Sequence, residues 1–318
     1  MVIGRNEGER LKRCIGSLKG SASAIVYVDS RSTDGSADWA RSQGVHVVDL
    51  DLSLPFTAAR ARNAGYRRLK AEAPDIDAVQ FVDGDCEVQP GWLAAAAGFL
   101  AGHAEVAAVF GRRRESDPGQ SIYVRMCDRE WDTPLGESRA CGGDVLMRCR
   151  AFDQVGGFRD DLIAGEEPEL CVRIRAAGWR IWRLPDEMTL HDAAITRLGQ
   201  WWRRARRGGH AYAEGASLHG APPERHWVAE TRRAVLWGAV LPLSAAALGL
   251  GVHPLGWLLL LAYPAQVARL AWRDRHRPEH ALGLSTLLVL ARLPEAQGVI
   301  QFWLNRARRR RAALIEYK

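Results

Sequence analysis

Metal-cluster spacing is missing from this sequence. Six cysteines, Cys14, Cys86, Cys127, Cys141, Cys149 and Cys171, are scattered through 318 residues without a C-x-x-C pair. That excludes a cysteine-based zinc site. No internal repeat and no low-complexity tract occurs. With 47% hydrophobic and 25% charged residues, 31 Gly and 14 Pro, the composition is that of a globular protein and excludes a disordered or collagen-like chain. The length is ample for a core, in one large domain or two ordinary ones. No signal-peptide pattern precedes Val2 and Ile3, which read as the end of a strand, and reduced, buried thiols in a cytosolic domain are expected. Acidic charge is scarce in one region. Residues 232–318 hold 13 Lys+Arg against 4 Asp+Glu, whereas residues 1–231 hold 31 against 33. The basic excess therefore sits in the last quarter, interleaved with apolar stretches. This reads as a membrane-facing tail rather than as a nucleic-acid surface on the folded body.

The first half alternates β-rich runs with helical patterns. Residues 24–28, 45–48, 78–82 and 106–110 read as strands, and 9–18, 35–43, 57–71 and 90–101 as helices. In the first helix Leu11, Cys14, Ile15 and Leu18 recur at helical spacing. The alternation predicts an α/β fold, a mostly parallel sheet with helices on both faces and ligands at the carboxyl ends of its strands. Residues 235–252 and 255–268 carry no charge. They read as a membrane hairpin turned at His253 and Pro254, flanked by Arg232 and Arg233 before it and by Arg273, Arg275 and Arg277 after it, so both ends are expected in the cytoplasm. Residues 281–304 read as one or two interfacial helices, followed by a basic run at Arg306 and 308–311. The resulting division is a catalytic domain over 1–195, an amphipathic interfacial segment over 196–230 and a membrane-associated helical region over 231–318.

Acidic residues stand where such a sheet binds ligands. Asp29 follows one strand, and Asp83-Gly84-Asp85 follows another. Carboxylates two apart on an extended segment face the same way and can share a divalent cation, and Gly84 lets a backbone come close. Glu166, Glu167 and Glu169 crowd the start of a helix, where the dipole offsets their repulsion, and one of them could serve as a general base. Pro168 suits the first turn of that helix. His191 follows a short strand over 180–184 and a loop, and could be a further metal ligand or a donor to phosphate. Arg60, Arg62 and Asn63 could contact phosphate or nucleotide. Residues 196–212 put Leu198, Trp201, Trp202 and Ala205 on one helical face, with Arg203, Arg204, Arg206 and Arg207 over much of the rest, a pattern suited to a membrane surface.

In this order the motifs resemble family 2 glycosyltransferases with the Rossmann-like GT-A fold, over about residues 1–215. Asn6-Glu7, the turn at 28–36 (VDSRSTDGS), ARNAG at 61–65 and VDGDCEVQPGWL at 82–93 are each similar to a motif of that family. So are CGGDVLMRCRAFDQVGGF at 141–158 and the helix GEEPELCVRIRAAGW at 165–179. The resemblance implies that Asn6, Glu7, Asp29, Arg62, Asn63 and Asp83 bind the nucleotide sugar. It implies that Asp85, with Asp83 and His191, holds Mg²⁺ or Mn²⁺, and that Gly142, Gly143 and Asp144 face the acceptor. The family's aspartate base is replaced by Glu167, beside Glu166. Processive members carry Q-x-x-R-W. Here Gln200, Trp201 and Arg203 belong to a run with Arg204 in place of that tryptophan, which favours transfer of a single sugar.

The function this implies is metal-dependent, inverting transfer of one sugar from a nucleotide-diphosphate sugar to an acceptor hydroxyl. The acceptor is expected to be lipid-linked or a cell-envelope glycan, at the cytoplasmic face of the inner membrane and in contact with membrane lipids, with no nucleic-acid partner. A nucleotidyltransferase on a similar sheet is a rival, but Gly4-Arg5-Asn6-Glu7-Gly8 is too short and too acidic for a phosphate loop. A non-enzymatic membrane scaffold is the other rival, and the acidic positions it could dispense with are all present.

Overall fold

Short aliphatic runs and helices of apolar periodicity alternate from the first residue. In the computed structural model, which describes residues 1–51, 53–276, 280–310 and 314–316, they become β1 (Val2–Gly4), α1 (Glu9–Leu18), β2 (Val26–Asp29), α2 (Ser36–Ser42), β3 (His46–Asp49), α3 (Ala58–Glu72) and β4 (Ala78–Asp83). The four strands pair in parallel in the order β3-β2-β1-β4. All four periodic residues of α1 are buried. Thr57 caps α3 by accepting a hydrogen bond from the Arg60 N–H.

The sheet continues through β5 (Cys86–Val88), α4 (Trp92–Gly102), β6 (Val106–Glu115), α5 (Ile122–Glu130), β7 (Gly136–Glu137), β8 (Val145–Arg148), α6 (Cys149–Gln154), α7 (Glu166–Ala176) and β9 (Arg180–His191). Beyond β4 the order is β8-β6-β9-β5, with β7 also on β9. β8 runs antiparallel to both β4 and β6, and β9 runs parallel to β6. Two elements are longer than their sequences suggest. β6 passes through Arg112, Arg113, Arg114 and Glu115, of which only Arg114 is exposed, so the strand stays buried under its charges. β9 passes through Pro185 at a register irregularity, where proline is tolerated, and delivers His191 on the strand itself rather than on a loop.

The chain forms two compact units, Met1–Pro118 with Cys127–Ala194, and Gly119–Met126 with Ile195–Lys318. The second unit is helical: α8 (Leu198–His219), α9 (Val228–Val235), a π-helical turn (Leu236–Val240), α10 (Leu241–Gly251), a 3₁₀ stretch (Pro254–Leu261), α11 (Ala262–Arg273), α12 (Ala281–Leu290) and α13 (Arg292–Ala307). The amphipathic segment differs from expectation. Trp201 is 2% exposed and lies beside Tyr123. Trp202 donates to Gln297 and Arg206 to Gln301, both on α13. The predicted membrane-facing surface of this segment is thus largely a helix–helix interface.

The hairpin is also altered. Among the described residues one helix, Val228–Gly251, is long and apolar enough to cross a membrane. The second apolar stretch opens as 3₁₀ after Pro254 and becomes α-helical only at Ala262. Leu243 and Leu250 stand 69% and 81% exposed on the long helix, so its apolar residues are not core. Arg277 and Arg311, counted among the flanking basic residues, lie outside the described residues.

Candidate active site

Arg62 organises the carboxylates. It projects from α3, is buried, and reaches Asp83 at the end of β4 through Nη2 at 2.8 Å. Its Nη1 lies 2.9 Å from Oε1 of Glu166 and 2.9 Å from Oε1 of Glu167, the first residues of α7. Glu169, the third acid of that turn, is answered separately by Arg173 one turn on. The repulsion evident in the sequence is thus split between two guanidiniums and the helix dipole. Burial resists ionisation of Asp83, yet Arg62 and Arg113 outweigh it and hold this carboxyl below its ordinary range. Glu167 goes the other way: burial first, then the neighbouring Glu166, raise it to about 7 despite Arg62. Its side chain keeps 17% exposure against 4% for Glu166.

Gly143 forms the floor of this cluster. A Cβ there would stand 2.4 Å from Arg62 Nη2, 3.0 Å from Glu167 Oε1 and 3.2 Å from Asp83 Oδ2, so any side chain would force these charged groups to move. Gly142 backs onto Trp131, and Arg113 lies over the Trp131 ring at 4.7 Å. Asp144, expected on the acceptor side, is instead a buried strut. Its Oδ1 accepts from the Asp83 N–H, and its Oδ2 accepts from the Thr189 hydroxyl and faces Arg113 at 3.3 Å.

Asp85 belongs to a different group from Asp83. Ligand-type atoms of Asp85, Cys86 and His191, all buried, lie within 4.8 Å of one another. Nε2 of His191 faces Asp85 Oδ2 at 3.5 Å, and Nδ1 lies 2.7 Å from Oε1 of Glu115. A carboxylate and an imidazole at this spacing could hold a divalent cation, while burial keeps the Cys86 thiol protonated and its ordinary role apolar. Asp83, expected as a second metal ligand, lies outside this trio and is held by Arg62. Gly84, between the two aspartates, packs against Ile3 O and the Glu7 side chain, and an added Cβ would be 3.0 Å and 3.2 Å from them.

The remaining expected residues separate into turn-builders and latches. Asp29 accepts from the Tyr27 hydroxyl and from the Ser32 backbone N–H and hydroxyl. Asn6, at φ 56°, accepts from Thr33 N–H, so the two residues fix the 28–36 turn. Glu7 pairs with Arg10 at 2.7 Å. Asn63 latches a loop: its amide nitrogen donates to Phe158 O and Asp160, and its oxygen accepts from Phe158 N–H. Gln200, Trp201 and Arg203 are on α8 of the second unit, where Gln200 Oε1 caps the helix by accepting from the Thr196 and Arg197 N–H groups. Sequence reasoning missed Arg113 and Glu115. No periodic signal marked them, because the charged run after Phe110 read as a strand end.

The comparisons with known proteins agree with this architecture. Residues 1–159 match the family described as glycosyl transferase family 2. Pre-mycofactocin glycosyltransferases from two strains of Mycobacterium tuberculosis are each 30% identical over 227 residues, 65% of this chain, and the chain spans 45% of their length. A mannosyltransferase from Pyrobaculum calidifontis, solved in complex with GDP-Man and Mn²⁺, matches with TM-score 0.57 at 21% identity, covering 91% of this chain and 86% of that one. S. aureus TarS matches with TM-score 0.52 at 16% identity, covering 97% of this chain and 91% of the solved fragment. These structural likenesses are of fold. The family match extends over half of the chain and takes in the strand end bearing Asp83 and Asp85, and on that ground the chain belongs to glycosyl transferase family 2.

Proposed function

We propose that this chain transfers one sugar, with inversion, from a nucleotide-diphosphate sugar to an acceptor hydroxyl. The observation that carries the reading is the meeting of Asp83, Glu166 and Glu167 on the single guanidinium of Arg62, while Asp85, two residues beyond Asp83, groups with His191. Asp29 and the turn it holds would meet the base of the nucleotide. Glu167 is the base in this scheme, because it is the more exposed of the pair and its proton affinity lies near neutrality. It takes the acceptor proton as the acceptor oxygen bonds to the anomeric carbon and the bond from that carbon to the diphosphate oxygen breaks. One displacement inverts the centre.

Asp85 and His191 would hold a divalent cation, which when bound neutralises charge on the departing diphosphate. Arg113, behind Asp83 and Asp144, adds positive potential to the same strand end. The similarly folded mannosyltransferase, solved with GDP-Man and Mn²⁺, and S. aureus TarS, also solved in complex with UDP-GlcNAc, support a donor of this class.

Residues 1–195 serve as the catalytic domain, 196–230 lead out of it, and 231–318 attach the protein to the cytoplasmic face of the inner membrane. The exposed apolar helix Val228–Gly251 supports that attachment and, with it, a lipid-linked or envelope-glycan acceptor. Pre-mycofactocin is the rival acceptor, because the two curated relatives are named for it. The test is a panel of nucleotide sugars screened for nucleoside diphosphate release, with and without Mn²⁺, followed by the anomeric configuration of the product. Release from one donor with an inverted product is expected, and retention of configuration or no release from any donor contradicts the reading.

A further inference from the structure

β9 lies between β6 and β5, and His191 is in register with Glu115 on one side and Cys86 on the other. The two flanking carboxylates therefore reach different nitrogens of one ring. Oε1 of Glu115 lies 2.7 Å from Nδ1, and Oδ2 of Asp85 lies 3.5 Å from Nε2. Glu115 is itself fixed. Its Oε2 accepts from the Ala193 N–H at 3.1 Å, its backbone N–H donates to Asp128, and its side chain is fully buried. Among the described residues no arginine or lysine lies within ion-pair distance of Glu115, unlike Asp83, Glu166 and Glu167.

We infer that Glu115 is a positioning residue: it takes the Nδ1–H of His191, fixing that tautomer and ring orientation, and so presents the Nε2 lone pair to a divalent cation beside Asp85. The inference rests on the proposed reading of Asp85 and His191 as cation ligands. An acceptor-only carboxylate on Nδ1 leaves the ring proton there and the other nitrogen bare, which is how outer-shell carboxylates raise the basicity of ligating histidines. Glutamine cannot substitute. Glu115 faces two donors, His191 Nδ1–H and Ala193 N–H, and an amide must turn its NH₂ toward one of them. Toward the ring it moves the proton to Nε2, and toward Ala193 it opposes donor to donor.

The experiment is Mn²⁺ binding to the full chain, read from loss of the free Mn²⁺ spin-resonance signal, for the unaltered protein, Glu115→Gln, Glu115→Asp and His191→Ala, with melting of each metal-free protein alongside. Glu115→Gln is expected to weaken Mn²⁺ binding about 10–100-fold, with partial recovery in Glu115→Asp. Lowered melting with Mn²⁺ affinity unchanged would overturn the inference and leave Glu115 as a packing residue. Unchanged affinity in His191→Ala would instead overturn the ligand reading beneath it. A second readout needs no variant: ¹⁵N-histidine spectra of the unaltered chain titrated with Cd²⁺. The expected result is a response at Nε2 of His191 with the Nδ1 proton retained. A response at Nδ1 overturns the role of Glu115, and no response at either nitrogen overturns the ligand reading.

Discussion

Nη1 of Arg62 stands 2.9 Å from Oε1 of Glu167, and this pair ties α3 to the start of α7. Removing the cation takes the guanidinium from Glu166 and Glu167 and leaves Asp83 with Arg113 alone. Arg62→Met is expected to destabilise the fold by about 3–5 kcal/mol near neutral pH, the range for breaking a buried ion pair from one side. The sign with pH follows. Burial and Glu166 already raise Glu167 to about 7 against the pull of Arg62, and without that cation it rises further, so this part of the deficit is present above about 7 and is lost as acid protonates Glu167. Denaturant melts at about pH 8 and about pH 5 check this. An equal deficit at both contradicts it. Arg62→Lys keeps the charge but not the fork, and should recover only part of the stability.

The raised proton affinity of Glu167 makes a second forecast. A base must be ionised, and Glu167 titrates at about 7, so turnover at saturating donor should climb with pH through about 7 and then level. Burial sets this position first and Glu166 second, so Glu166→Gln should shift the midpoint downward. A profile flat from about pH 5 upward would exclude Glu167 as the base.

Gly143 is expected to tolerate no side chain. Gly143→Ala puts a methyl 2.4 Å from Arg62 Nη2 and against Glu167 and Asp83, so the cluster must shift. Turnover should fall about 10²-fold, the scale for misplacing reacting groups by an ångström. Steady-state rates of the variant check it, and full activity would show that the cluster has room to spare.

How much of this could be read beforehand varies by residue. The parallel strands β1 to β4 and helices α1 to α4 were legible, because apolar periodicity sets them locally. Asp83, Asp85, Glu166 and Glu167 were legible as a candidate site, because strand ends and helix starts are local features too. Their division was not: Arg62 claims Asp83 while His191 joins Asp85, and that partition depends on where α3 and β9 fall in space. Asn63 and Asp144 read as ligand contacts from their motifs, yet in the fold Asn63 bonds the loop at Phe158 and Asp160, and Asp144 braces the strands bearing Asp83 and Thr189. Trp201 read as a membrane anchor from its helical face, but amphipathic periodicity alone does not say whether a bilayer or another helix, here α13, covers the segment.

A cut near Glu230, natural from the charge pattern, would strip α13 from α8 and break the Trp202–Gln297 and Arg206–Gln301 bonds. The cleaner test leaves the chain whole. The unaltered chain is expected to resist carbonate extraction, and Leu243→Asp with Leu250→Asp, both on the exposed face of the long helix, to be extracted while donor binding persists. Extraction of the unaltered protein by carbonate would mean that Val228–Gly251 does not span a bilayer.

The measurement that bears most directly on the account is nucleoside diphosphate release by Glu167→Gln beside the unaltered chain, with donor affinity measured in parallel. Glutamine preserves shape and cannot take a proton at neutral pH. Release should fall about 10²–10⁴-fold, the range for losing a general base, while donor affinity changes little. Turnover in Glu167→Gln equal to that of the unaltered chain, with the loss appearing in Glu166→Gln or in neither, would contradict the assignment of Glu167 as the base.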